Sequence, residues 1–274
     1  MSRRQSISVL EARIRAPLLS IKQPLAYQVA PSTLLPPPST LLGALARGLA
    51  ELEPHSQSCG EEFFADHLSL LSKVVDAAVV RPLPNARGIC TYVILSRFRG
   101  LLEKKEMDEK KARDAMRREY FFISELAAYY VINAEELEKQ GLTPEHLKRA
   151  ANLIPRLGDT EALCSVVETH MLEGTVKDCR EAMVNTMVKE DFVTEAEGDY
   201  IITPMTDENF RVSMRTPKMK KFYLPLKSAE LRVGGRRFAI YEPSEFRVKV
   251  AEHARVVEIR SPTFVTPTVL VSGA

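Results

Sequence analysis

Residues 17–51 read PLLSIKQPLAYQVAPSTLLPPPSTLLGALARGLAE, and the fold of the chain turns on them. Just before them, Ser6–Arg15 (SISVLEARIR) alternates apolar and polar residues with the period of a half-buried strand. Pro17–Pro38 holds six prolines with Ser and Thr between them, which predicts a long loop. Ser39 or Thr40 can cap the helix that follows, because a side-chain oxygen there accepts from an early backbone N–H. That helix tolerates Gly43 and Gly48, each costing about 1 kcal/mol relative to Ala. It is therefore expected to pack its backbone closely, with the sheet as the expected surface and an RNA backbone as the other candidate. The two glycines are expected to pack behind the loop rather than to line a site. Strand, loop and small-residue helix form the opening of an α/β unit whose loop is kept for binding.

Working outward, Gly60–Lys73 carries a second helical pattern, and Val74–Pro82 reads as a buried strand. Ala86–Arg99 predicts another strand, and Glu119–Asn133 a strand returning to the core. Thr143-Pro144-Glu145 is a strong helix start, with a capping Thr, Pro at the first helical position and an acid in the first turn. Leu163–His170 is the last strand of this part. The order strand, helix, strand, strand, helix, strand is the split βαβ, ferredoxin-like order. RNA-recognition modules share it, but their aromatic-rich strand motif is missing, so base stacking on the sheet is not expected. Beyond it, Val176–Lys189 predicts a helix, and Leu231–Ile240 a hairpin turning at Gly234-Gly235. Val176–Ile202 has the look of a winged helix, though its acids and bases are mixed.

The chain has 274 residues, 45% hydrophobic and 27% charged, enough for one large domain or two modest ones. No apolar run approaches the roughly 20 residues of a membrane span, and the N-terminus lacks the pattern of a signal peptide, so a cytoplasmic protein is expected. The four cysteines make no C-x-x-C pair and read as reduced thiols. A zinc site would need His55, Cys59, His67 and a fourth ligand that the spacing does not supply.

Net charge is only +2, but the charges are segregated. Between residues 1 and 49 the one acid is Glu11, against six bases that include Lys22 and Arg47. Residues 209–227 carry no acid, and residues 187–208 are strongly acidic. Positive blocks in a near-neutral chain point to a local polyanion surface. Gly43–Gly48 (GALARG) has the glycine spacing of a phosphate loop, yet Leu49-Ala50 follows where Lys and a hydroxyl are needed, which excludes nucleotide hydrolysis by that route. No acid–base pair is evident among the five scattered histidines, so no catalytic residue is assigned. The strongest local signal for RNA is Arg87–Tyr120, where Arg87, Arg97, Arg99, Arg117 and Arg118 accompany Tyr92, Phe98 and Tyr120. Bases neutralise phosphates and aromatics stack on splayed bases. Within it, Leu101–Met116 alternates acids and bases at helical spacing and reads by itself as a solvated, salt-bridged helix.

Three segments carry a family resemblance: YQVAPSTLLPPPSTLLGALARGLAEL, RREYFFISELAAYYVI and IPRLGDTEALCSV. In their order and spacing they resemble the Cas-five family, the RAMP-superfamily subunit of type I CRISPR Cascade, most closely its archaeal type I-A branch. The resemblance, which spans about residues 6–170, implies an α+β fold with a ferredoxin-like (RRM-like) palm over residues 1–173 and a thumb insertion at about 87–120; the residues beyond read by themselves as a β-rich C-terminal region over 174–274. It implies a non-catalytic, cofactor-free subunit that holds the 5′ handle of the crRNA. Its implied partners are the Cas-seven backbone subunit, the Cas-eight large subunit and target DNA near the PAM. Carried over by position, Lys22, Gln23, Tyr27, Ser32, Thr33, Ser39 and Thr40 line the handle site, with Arg47 in the same basic block. Arg97 and Arg99 stand at the thumb base or shaft, Arg117 and Arg118 opposite, and Arg156 in the Leu-Gly turn. Asp159 stands where many relatives have a base, which argues against phosphate contact at that turn. A metal-independent repeat-RNA endonuclease and a winged-helix DNA-binding regulator are the alternatives.

Overall fold

The computed structural model describes residues 6–23, 29–52, 61–98, 113–159, 162–208, 219–261 and 266–273. The alternating stretch Ser6–Arg15 is β1, and a two-residue strand, β2 (Val29–Ala30), lies in the loop after it. Helix α1 (Pro38–Leu52) leads to α2 (Glu61–Val74) and β3 (Val75–Pro82). A hairpin of β4 (Gly88–Phe98) and β5 (Arg113–Phe122) comes next, then β6 (Glu125–Ile132). The expected single strand over 119–133 is therefore two, broken at Ile123-Ser124. Two short helices, α3 (Ala134–Lys139) and α4 (Pro144–Asn152), precede the long β7 (Ser165–Lys177). The Thr143 hydroxyl accepts from the His146 N–H at 3.3 Å and caps α4, with Pro144 behind it.

The last third is all strand apart from one 3-10 turn, among the described residues: β8 (Glu181–Val184), β9 (Val188–Lys189), β10 (Val193–Gly198), β11 (Ile201–Thr206), β12 (Met219–Leu224), β13 (Leu226–Val233), β14 (Arg236–Pro243), β15 (Phe246–Val250), β16 (Ala254–Ile259) and β17 (Thr268–Ser272). The helix expected over Val176–Lys189 is thus β7's end, β8 and β9, which removes the winged-helix likeness. Its apolar residues at Val184 and Val188 instead fill a small β core with Phe246, Val248 and Val256. The predicted hairpin at Gly234-Gly235 stands, both glycines having the positive φ (55° and 76°) that a tight two-residue turn requires.

One six-stranded sheet orders β17-β16-β7-β1-β6-β3. Every neighbouring pair is antiparallel. Its last four strands have the order and crossovers of a split βαβ unit, with α1 and α2 between β1 and β3 and α4 between β6 and β7. β7 runs without a break across residues 173 and 174, and β16 and β17 extend the same sheet. The helices cover one face, where the Tyr130 hydroxyl donates to the Leu41 carbonyl at 3.2 Å. The other face is also closed: Glu11 is fully buried, accepting from the Tyr129 hydroxyl at 2.9 Å and the Ser261 hydroxyl at 3.2 Å. A second sheet, β13-β14-β4-β5-β2, joins the hairpin after β3 to the Gly-Gly hairpin of the last third.

Candidate nucleic-acid interface

Helix α1 begins at Pro38, one residue before the expected cap. Proline loses nothing there, because its missing N–H is an orphan of the first turn. The Pro37 carbonyl accepts from the Thr40 and Leu41 N–H groups, while the Ser39 hydroxyl turns away to the hydroxyl of Thr206. Leu41, Leu42, Leu45 and Leu49 are buried. Gly48 packs against α4, where a Cβ would overlap the Ala150 carbonyl, so its close partner is a helix and not the sheet.

Thr40, Gly43, Ala44 and Arg47 fall at i, i+3, i+4 and i+7, which places them on one face of α1. Across from them lies the turn Pro155–Gly158. Leu157 anchors this turn in the core, its N–H donating to the Ala162 carbonyl at 3.0 Å. Gly158 bridges Ser20 with φ 104°, and Ser20 and Ile21 leave no room there for a side chain. Between helix and turn opens a cleft of about 380 Å³ lined by Thr40, Gly43, Ala44, Arg47, Pro155, Arg156 and Gly158. Gly43, expected to pack behind the site, is part of its wall.

Internal ion pairs decide where positive charge remains. Arg15 bonds Glu125 at 2.8 Å, and Arg13 bonds Glu168 at 3.0 Å. The Arg15 guanidinium holds the Glu125 carboxyl below the usual carboxylate range, and Arg13 does the same for Glu168. The acidic stretch 187–208 neutralises much of the basic block after it: Lys220 meets Asp191 at 2.7 Å, Lys221 meets Glu190 at 3.2 Å, and Lys227 meets Asp199 at 3.5 Å. Arg211, Arg215 and Lys218 lie outside the described residues. At the cleft, among the described residues, Arg47 pairs with the exposed Glu51 one turn on. Arg156 is exposed and, among the described residues, in no ion pair. Lys22 is exposed one residue beyond Ile21, which packs against Gly158.

The fourteen expected binding residues are thus divided. Thr40, Arg47 and Arg156 share the cleft, with Lys22 exposed nearby. Ser32, Thr33 and Arg118 do not face solvent, being 5%, 1% and 6% exposed. The Ser32 hydroxyl accepts from the Ile21 N–H at 3.0 Å, and the Ser32 N–H donates to Glu119 at 2.8 Å, so the proline-rich loop uses this serine to hold itself down. Arg118 pairs with Asp159. The Gln23 amide donates to the Ser32 carbonyl at 3.4 Å, Ser39 is spent on Thr206, and Arg87 meets Glu242 at 3.1 Å. Arg97 and Arg117 stand on opposite strands of the β4–β5 hairpin. Tyr27, Arg99 and most of the charged stretch 101–116 lie outside the described residues. Gly43, Ala44 and Pro155 were missed by reasoning on charge and hydroxyls, although the spacing of small residues around Thr40 and Arg47 marked the face.

No group of three His, Cys, Asp or Glu side chains among the described residues could hold a metal, and His55 and Cys59 of the considered zinc set lie outside them. No helix among the described residues is long and apolar enough to cross a membrane.

Comparison with known proteins accords with this architecture. Residues 9–220 match the family model of CRISPR-associated protein (Cas_Cas5). The chain is 32% identical to a CRISPR-associated protein Cas5 of Methanocaldococcus jannaschii, over 80% of this chain and 85% of that one. It is 33% identical to a CRISPR-associated protein Cas5 of Thermoproteus tenax, over 71% and 77%. Its fold is similar to the crystal structure of a CRISPR protein from Archaeoglobus fulgidus, with a TM-score of 0.53 at 16% identity, covering 97% of this chain and all of that one. A strand-rich α/β chain with this family match over most of its length belongs to the CRISPR-associated Cas5 family.

Proposed function

We propose that this chain is the subunit of a type I-A CRISPR RNA-guided surveillance complex that holds the 5′ handle of the crRNA without cutting it. The split βαβ unit serves as the palm and the β4–β5 hairpin as the thumb. The complex sits in the cytoplasm, where this subunit caps the filament of backbone subunits, meets the large subunit and lies near the PAM end of target DNA. The observation that carries the proposal is the cleft between α1 and the Pro155–Gly158 turn. Its wall is small residues, so a sugar-phosphate backbone can approach closely, and its rim carries Arg47 and Arg156. Specificity for a handle would come from splayed bases meeting backbone groups and the Thr40 hydroxyl, while phosphates set the position.

Anisotropy with labelled handle RNA tests this directly. Wild-type protein should bind the handle more tightly than a scrambled RNA at matched salt, and Arg47→Glu with Arg156→Glu should abolish the binding. Site-specific cleavage of repeat RNA in EDTA by the purified chain would instead make it an endonuclease and overturn the holding role.

A further inference from the structure

The proline-rich loop is laid against β5 bond by bond. Leu19 and Phe121 exchange both backbone hydrogen bonds, at 2.8 and 2.9 Å, and the Ser20 hydroxyl donates to the Glu119 carbonyl at 3.3 Å. On the return arm β2 runs parallel to β5, with Val29 beside Arg117 and Ala30 beside Arg118. Pro31 then interrupts the ladder, because it has no N–H to donate. The next N–H, that of Ser32, is met by a side chain instead, the Glu119 carboxylate at 2.8 Å. Ser32 is buried, so without that carboxylate its N–H would be left with no acceptor. Ser32 in turn holds the outgoing arm. Its hydroxyl accepts from the Ile21 N–H at 3.0 Å, the Gln23 N–H donates to the Pro31 carbonyl at 3.0 Å, and Lys22 bridges Ser32 directly.

Lys22 therefore rests on Ser32, and Ser32 on Glu119. Lys22 is exposed and, among the described residues, in no ion pair, while Ile21 beside it lies against Gly158 in the cleft wall. Glu119 also makes no ion pair among the described residues. On charge alone an acid at this place opposes the binding of a polyanion. We propose that Glu119 is a positioning residue of the RNA site: by holding the Ser32 N–H it fixes Lys22 beside the cleft, where Lys22 neutralises one phosphate of the RNA. The inference rests on the proposed RNA-holding function. Glu119 itself touches no RNA and acts through Ser32 and Lys22.

Charge and position predict opposite signs. Removing an acid near a phosphate site should tighten RNA binding, whereas removing the support of Lys22 should weaken it. Anisotropy of the full chain with labelled handle RNA over a salt series separates the two. Lys22→Gln should flatten the slope of log affinity against log salt by about 0.7, the worth of one single-strand phosphate contact. Glu119→Ala should flatten it by the same amount and weaken binding by about fivefold. The two losses should not add in the double variant, because both remove one contact. Glu119→Gln, whose side-chain carbonyl still accepts from Ser32, should keep the wild-type slope. Glu119→Asp keeps the charge but withdraws the acceptor by one methylene, and it should behave as Glu119→Ala does, which keeps the test open if the alanine variant does not fold. Glu119→Ala and Glu119→Asp binding as tightly as wild type, or losses that add in full to that of Lys22→Gln, would overturn the inference. So would a Lys22→Gln protein with the wild-type slope. A wild-type chain that does not bind handle RNA would overturn the proposed function itself, and the wild-type measurement separates that case from the others.

Discussion

Arg118 on β5 and Asp159 at the end of the Pro155–Gly158 turn form an ion pair in which the arginine is buried and the aspartate partly open. The pair fixes the turn to the second sheet and thereby sets one wall of the cleft. It also explains why an acid follows Leu157-Gly158: Asp159 serves Arg118, and Arg156 is the exposed cation of the turn. Asp159→Ala should cost about 2–3 kcal/mol, below the roughly 3–5 kcal/mol of a fully buried pair because the carboxylate is one-third exposed. Urea unfolding measures it. An Asp159→Ala protein of unchanged stability would make the pair incidental.

Two glycines five residues apart on α1 should respond differently. Gly48→Ala gains about 1 kcal/mol of helix propensity but drives a Cβ into the Ala150 carbonyl, for a net loss of about 1–2 kcal/mol. Gly43→Leu should leave the melting temperature within a few degrees and weaken handle-RNA binding by about tenfold, since it fills the cleft. Equal RNA affinity in Gly43→Leu would move the RNA elsewhere.

Salt dependence separates phosphate contacts from the rest. If Arg47 and Arg156 each neutralise one phosphate, Arg47→Gln and Arg156→Gln should each flatten the slope of log affinity against log salt by about 0.7. Arg87→Gln, already paired with Glu242, should not. A slope unchanged in both cleft variants would remove the cleft from RNA binding.

Burial pushes the Cys90 and Cys164 thiols up to about 12, with Glu119 adding to the shift at Cys90. The thiolate is the reactive form, so both should resist iodoacetamide at pH 8 in the folded protein and react after denaturation. Peptide mapping by mass spectrometry reads this, and rapid native labelling of Cys90 would contradict its burial.

Glu125, hydrogen-bonded by Arg15, has a lowered pKa, so its contribution to stability is present above the ordinary carboxylate pKa of about 4.3 and is lost as pH falls through the lowered value. Arg15→Leu should therefore destabilise at pH 7 and make no difference near pH 2. A constant difference across that range would assign the effect to packing.

Local signals gave most of the first two-thirds. Alternation marked β1, Thr143-Pro144 fixed the start of α4, and Gly234-Gly235 fixed the hairpin. They failed at 176–189, where apolar residues compatible with a helix were drawn into strands by the sheet that β7 extends. They failed at Ser32 and Thr33, whose hydroxyls look available in a polar loop: that of Ser32 is consumed by the loop's own backbone, and that of Thr33 is buried away from solvent.

By itself the sequence determined the order of the split βαβ elements in the first two-thirds, the family and the presence of segregated basic blocks. Period, capping and turn chemistry act over a few residues and can be read from a string. Only the tertiary structure decided which bases remain open. Ion pairing joins residues as far apart as Arg13 and Glu168, so Arg13, Arg15, Lys220 and Lys221 are spent within the protein while Arg47 and Arg156 meet across a cleft. Charge is a property of a residue, but free charge is a property of the space around it.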